Sequence, residues 1–182
     1  LLKEAVRKFI ETRKKGEEIG IVTFDSSVMQ NIALTKEEEV LLQAVDYFTA
    51  AGGTNIKCGI NTALGQYNKE KDSFNVMIVM TDGQDSSYWD SQFAELRNTC
   101  KEKDLILYTI GLGDVSVDYL ERLADSGMGS FVYCNNSTQL EELYAFIHNQ
   151  MDNNYVLTYP AADTDTMGKR VLLVSSEQEG FT

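Results

Sequence analysis

The chain has 182 residues, 43% of them hydrophobic, which suits one domain with a packed core or one domain plus part of another. Its formal net charge of −12 excludes the basic face that a nucleic-acid partner requires; such acidity serves cation binding or simply solubility. No apolar run reaches the roughly 18 residues of a membrane span, and no signal peptide is visible at the start.

In chain order, residues 1–15 read as a helix. Leu2, Ala5, Val6, Phe9 and Ile10 share one face, Arg13, Lys14 and Lys15 suit a helix C-terminus, and Gly16 stops it. The opening Leu1-Leu2, already in helical register and lacking Met, reads as the start of a fragment. Ile19 to Phe24 and Val28 to Leu34 read as a hairpin around the turn Asp25-Ser26-Ser27, since so short a link can join only antiparallel strands. Thr35-Lys36-Glu37-Glu38 matches a capping box, with Thr35 as N-cap and Glu38 reaching back, for a helix running to about Ala50. Glu37-Glu38-Glu39 is then a charged first turn. After Ala51-Gly52-Gly53-Thr54, a helix from Asn55 to Tyr67 buries Ile56, Ile60, Ala63, Leu64 and Tyr67. Phe74 to Thr81 is a nearly unbroken apolar run, the mark of a strand covered on both faces.

A helix over Ser91–Lys103 and a strand over Leu105–Ile110 follow, the latter closed by Gly111-Leu112-Gly113-Asp114. Ser116 caps a helix to Ala124, Phe131 to Cys134 is a strand, and Ser137 caps a helix to Met151 with Leu140, Leu143, Ile147 and Met151 inward. This alternation predicts an α/β, doubly wound, mostly parallel sheet of Rossmann-like form, with one antiparallel hairpin strand at its edge. The pattern changes near Asp152. Asn154–Tyr159 and Val171–Ser175 read as a C-terminal β-hairpin, so the expected division is a domain over 1–151 and a hairpin over 152–182, the possible start of an all-β module. Cys58, Cys100 and Cys134 have no metal-ligand spacing, and their odd number suits buried free thiols, as in a reducing compartment or a bacterial surface protein without disulfides.

In such a sheet, ligands gather at the carboxyl ends of the strands. Three turns fall on that edge: Gly52-Gly53-Thr54, Thr81-Asp82-Gly83 and Gly111-Leu112-Gly113-Asp114. A hydroxyl and a carboxylate on converging loops suit a hard divalent cation with oxygen ligands, and the neighbouring Gly52, Gly53 and Gly83 let backbone approach closely. Asp82 alone is equally readable as a cap on the next helix. Tyr88 and Trp89 either join a partner-binding face or pack the start of that helix.

The turn Ala51-Gly52-Gly53-Thr54-Asn55-Ile56, the strand end Val79-Met80-Thr81-Asp82-Gly83, and Ile110-Gly111-Leu112-Gly113 before the closing helix resemble the von Willebrand factor type A domain over roughly residues 1–151. The tail is similar to strands that follow this domain in some bacterial relatives. The resemblance implies a non-catalytic adhesion module whose divalent metal, Mg²⁺ or else Mn²⁺ or Ca²⁺, captures an Asp or Glu of a protein partner. Position by position, Thr54 is then the second-loop ligand and Asp82 the third-loop ligand, direct or through water. It also implies a bacterial cell-surface or secreted location, with the cytoplasm as the alternative. The family's first motif, Asp-x-Ser-x-Ser, is not in the chain, and Asp25-Ser26-Ser27 has the wrong register to replace it. The expectation is that the motif and its middle strand lie upstream of Leu1, or that Val171–Val174 fills the lane, and that this chain alone binds metal weakly.

Two other readings compete. Gly113-Asp114-x-x-x-Asp118 looks like the distal acidic motif of haloacid-dehalogenase-type phosphatases, although Asp82 and Asp85 do not form that family's Asp-x-Asp. Asp114 and Asp118 otherwise read as a loop residue and a first-turn carboxylate. A metal-independent scaffold is the third option. The single histidine, His148, reads as a half-exposed helix residue, and no Gly-x-Ser-x-Gly elbow, P-loop or dinucleotide fingerprint is present.

Overall fold

The structure, a computed structural model, describes residues 2–48, 52–67, 74–85 and 90–152. The expected tail hairpin, Tyr88 and Trp89 lie outside the described residues, as does the side chain of His148. The order is α1 (Leu2–Thr12), β1 (Ile19–Phe24), β2 (Val28–Thr35), α2 (Glu38–Asp46), α3 (Ile56–Leu64), β3 (Asn75–Thr81), α4 (Asp90–Glu102), β4 (Leu105–Leu112), α5 (Val117–Ser126), β5 (Met128–Cys134) and α6 (Ser137–Asp152).

β3, β4 and β5 form a parallel sheet in that order, with Val79 opposite Thr109 and Ile110 opposite Val132. The two-residue period sorts their side chains onto two cores. Met77, Val79, Leu105 and Leu107 face Ile56 and Ile60 of α3, Phe93 and Leu96 of α4, and Leu120 and Leu123 of α5. Ile78, Met80, Tyr108 and Ile110 face Leu140, Leu143 and Ile147 of α6 together with Phe9 of α1. Helices on both faces explain why these strands are apolar throughout rather than alternating.

β1 and β2 pair antiparallel in a second, two-stranded sheet, with Val22 opposite Asn31. The predicted hairpin is therefore present, but among the described residues it is not hydrogen-bonded to the parallel sheet. A third core, Ile10, Ile21, Leu41, Ala44 and Val45, seats α1 and α2 on it. Phe24, at the end of β1, packs into the same core as Ile56 and Val79, so α3 lies against both sheets.

Several end assignments need correction: α1, α2 and α3 stop at Thr12, Asp46 and Leu64, short of the expected ends, and caps and strand ends differ as well. Thr35 does not cap α2: its hydroxyl accepts from the Glu37 N–H at 3.1 Å, a local turn, and Glu37 takes the cap position without a side-chain bond. Glu38 does not reach back because it pairs with Arg13 at 2.5 Å, and that Arg13 also donates to the Lys36 carbonyl at 2.8 Å. α6 is capped by Asn136, whose Oδ1 accepts from the Gln139 N–H at 3.0 Å. β4 is also longer than read at its end, because Gly111 and Leu112 stay in register with Tyr133 and Cys134, and β5 at its start, where Met128 pairs with Leu107. All three cysteines are free, Cys100 and Cys134 being buried and Cys58 half-buried.

Candidate functional site

Four turns meet at the carboxyl edge, one more than the sequence reading places there. Thr81 shapes the first of them: its buried hydroxyl accepts from the Gly83 N–H at 3.1 Å, folding the chain back directly after β3 and leaving Asp82 exposed. Gly83 then lies against Thr54. A Cβ added to Gly83 would sit 2.3 Å from Thr54 Oγ1, so only glycine lets the hydroxyl come this near the residue after Asp82. Thr54 and Asp82 are thus at one end of the molecule. Among the described residues, neither the Thr54 hydroxyl nor the Asp82 carboxylate is taken up in a hydrogen bond.

The loop carrying Thr54 is held from the side of β1. The Asn55 N–H donates to the Asp25 carbonyl at 2.8 Å, the Gly53 N–H to Ser26 Oγ at 3.2 Å, and Asn55 Nδ2 to the Ser26 carbonyl at 3.4 Å. Gly52 has φ +79°, and a Cβ there would stand 2.8 Å from the Asp25 carboxylate. The turn Asp25-Ser26-Ser27 is therefore a clamp on the Gly52–Thr54 loop. Sequence reasoning treats it only as a hairpin turn. The available signal was direction: β1 ends at the same rim as β3, which places both of their following acids there.

Asp85 was also missed as a rim residue. Its carboxylate accepts from the Ile56 N–H at 2.6 Å, at the first residue of α3, while the Asn55 side chain accepts from the Cys58 N–H at 3.0 Å. The two acceptors satisfy two of the otherwise orphaned donors at that helix start. Further along the rim, Gln84 Nε2 donates to Asp114 at 3.1 Å, and the hydroxyl of Tyr133 donates to the Gly113 carbonyl at 2.6 Å, which brings the third predicted loop against the second. Asp118 is exposed in the first turn of α5.

Electrostatically the edge gathers Asp25, Asp82, Asp85 and Asp114. Cys58 registers two of these charges: burial pushes its thiol up, a bond from the Gly59 backbone opposes this, and the Asp25 and Asp85 carboxylates raise it further. The thiol donates to the Asn55 carbonyl at 3.1 Å. Among the described residues no group of three or more His, Cys, Asp or Glu side chains is placed to hold a metal ion. A hydroxyl and a carboxylate on adjoining loops have the donor chemistry of a hard-cation site, but they supply only part of the six oxygens that Mg²⁺ takes.

Residues 1–146 match the von Willebrand factor type A domain. The chain belongs to this family. Members of the von Willebrand factor A family commonly mediate protein interactions, often through a divalent metal at a metal-ion-dependent adhesion site. A protein of Synechocystis is 22% identical over 156 residues, covering 84% of this chain and 37% of its own length. A von Willebrand factor type A structure from Catenulispora acidiphila superposes with a TM-score of 0.71 at 20% identity, over 82% of this chain and 37% of that one. Proximal thread matrix protein 1 from the mussel byssus, whose structure has a zinc-occupied adhesion-site motif, gives 0.62 at 19% identity, over 80% of this chain and 41% of that one. The chain thus spans well under half the length of these relatives, and at these identities the structural likenesses establish the fold. No helix among the described residues is long and apolar enough to cross a membrane.

Proposed function

We propose that this von Willebrand factor A domain is a non-catalytic binding module that captures an acidic residue of a protein partner through a divalent cation held at Thr54 and Asp82. The observation that carries the reading is the packing of the Thr54 hydroxyl onto Gly83, next to an exposed Asp82 with no hydrogen bond among the described residues. When bound, the cation supplies a fixed positive charge with an open coordination position for a carboxylate. Thr54 and Asp82 would hold it, and the Gly52-Gly53 backbone forms the rim beside it. We propose that the remaining protein ligands come from polypeptide outside the described residues entering between β1 and β3, which among the described residues belong to two separate sheets. The zinc-occupied motif of the byssus protein supports metal binding at this place in the fold.

The test is a Mg²⁺ titration of the protein by calorimetry, with Thr54→Ala and Asp82→Ala beside it. Each substitution should weaken binding by an order of magnitude or more, since each removes a ligand of a site with few protein ligands. Affinities indifferent to both substitutions would refute the metal reading. Turnover of a simple phosphate ester that is lost in Asp82→Asn would instead establish the phosphatase, although the engagement of Asp85 with α3 takes away that site's second acid. Partner capture unaffected by a chelator would establish the metal-independent scaffold.

A further inference from the structure

Three polar features lie outside the ligand pair: the basic corner around Arg13 and Lys36, the exposed Tyr133, and the carboxylate of Asp85. Arg13 is consumed by Glu38 and two carbonyls, and Lys36 faces Glu18 at 3.5 Å, so the corner is internally neutralised. Tyr133 is 41% exposed, but its hydroxyl is spent on Gly113. Asp85 differs from both because its bond crosses between the two loops on which the proposed site depends.

We propose that Asp85 is the positioning residue of the rim: its carboxylate, bonded to the Ile56 N–H, sets how far the Asp82 loop stands from the Thr54 loop. This inference rests on the metal-binding reading given above. The 2.6 Å bond joins a residue three positions after Asp82 to one two positions after Thr54. At its other margin the Thr54 loop is already fastened to the β1–β2 turn, at Gly53 and Asn55. With Asp25 and Ser26 on one flank and Asp85 on the other, Thr54 is held between two anchors, and the Gly83 backbone is pressed against its hydroxyl. The bond is also placed where a carboxylate is favoured, at a helix start whose unpaired N–H groups carry partial positive charge. One oxygen of Asp85 is thereby turned onto a backbone amide. It acts through Thr54 and Asp82, in the way outer-shell partners fix metal ligands in other sites.

Two variants and two measurements decide it. Amide exchange at Ile56 is followed in the metal-free protein, and Mg²⁺ affinity by titration of the same samples. Asp85→Ala should speed Ile56 exchange and weaken Mg²⁺ binding roughly tenfold, while Asp85→Asn, which keeps an acceptor oxygen, should stay within about threefold of the parent in both. Should Asp85→Ala fail to fold, Asp85→Ser, too short to reach Ile56 but still polar, takes its place with the same expectation. Unchanged Ile56 exchange in the truncated variant would overturn the proposal. So would an Asp85→Asn variant as impaired in Mg²⁺ binding as Asp85→Ala, because the charge would then act on the cation itself. If the parent protein binds no Mg²⁺, the metal reading falls, and Ile56 exchange alone decides whether Asp85 is the strut.

Discussion

Gly83 and Cys100 show how much a single side chain, or its lack, decides here. Gly83→Ala puts a methyl carbon where the Thr54 hydroxyl now lies, 2.3 Å away, so the hydroxyl or the Asp82 turn must move. The expected result is a loss of about 1–3 kcal/mol in urea denaturation, typical of overpacking, together with weakened Mg²⁺ binding. Cys100 is buried in the core between α4 and the sheet, and burial pushes its thiol up to about 11 from an ordinary 9.0. An unfolded chain ionises this group first and so holds fewer protons than the native one. Its contribution is complete below pH 9 and is lost as pH rises toward about 11. Denaturation across that range should show stability falling by up to about 3 kcal/mol from this residue, and Cys100→Ala should flatten the decline.

At the scale of elements, helix starts separate what pattern can reveal from what it cannot. Asn55, Glu37, Ser116 and Asn136 each precede a helix, but they do not do the same work. Asn55 accepts from Cys58 and also donates to the Ser26 carbonyl, whereas Ser116 makes no side-chain cap bond. Asn55→Ala should therefore destabilise by at least about 1 kcal/mol, and Ser116→Ala by only a few tenths, as read from paired chemical denaturation curves. Both are cap-type residues, although the sequence reading makes only Ser116 a cap and takes Asn55 as the first helical residue. Thr35 looks better still, with Glu38 at the right spacing, yet Arg13, just past the end of α1, captures that carboxylate. Local propensity proposes the cap, and a long-range ion pair decides whether it forms. The strands were easier, because apolar runs such as Asn75–Thr81 and Leu105–Leu112 have no alternative to burial on both faces.

For the whole molecule, the consequence is a rim assembled from distant segments. Residues 25–27, 52–56, 82–85 and 111–114 meet only because β1, β3 and β4 end at one edge and α3 packs against both sheets. Thr54 and Asp82 could be picked out beforehand because each follows a recognisable turn at the expected end of an α/β unit. Asp25 and Asp85 could not, since a hairpin acid and a loop acid have no spacing that distinguishes a clamp or a strut from a solvated charge.

By itself the sequence determined the α/β class, the order of strands and helices through α6 and the faces that enter the core. Those follow from period and composition, which are local and survive any arrangement of neighbours. Only the tertiary structure decided which polar groups are free and which are spent. Hydrogen-bond partners such as Asp85 with Ile56, or Arg13 with Glu38, lie 29 and 25 residues apart, and no local rule pairs atoms across that distance.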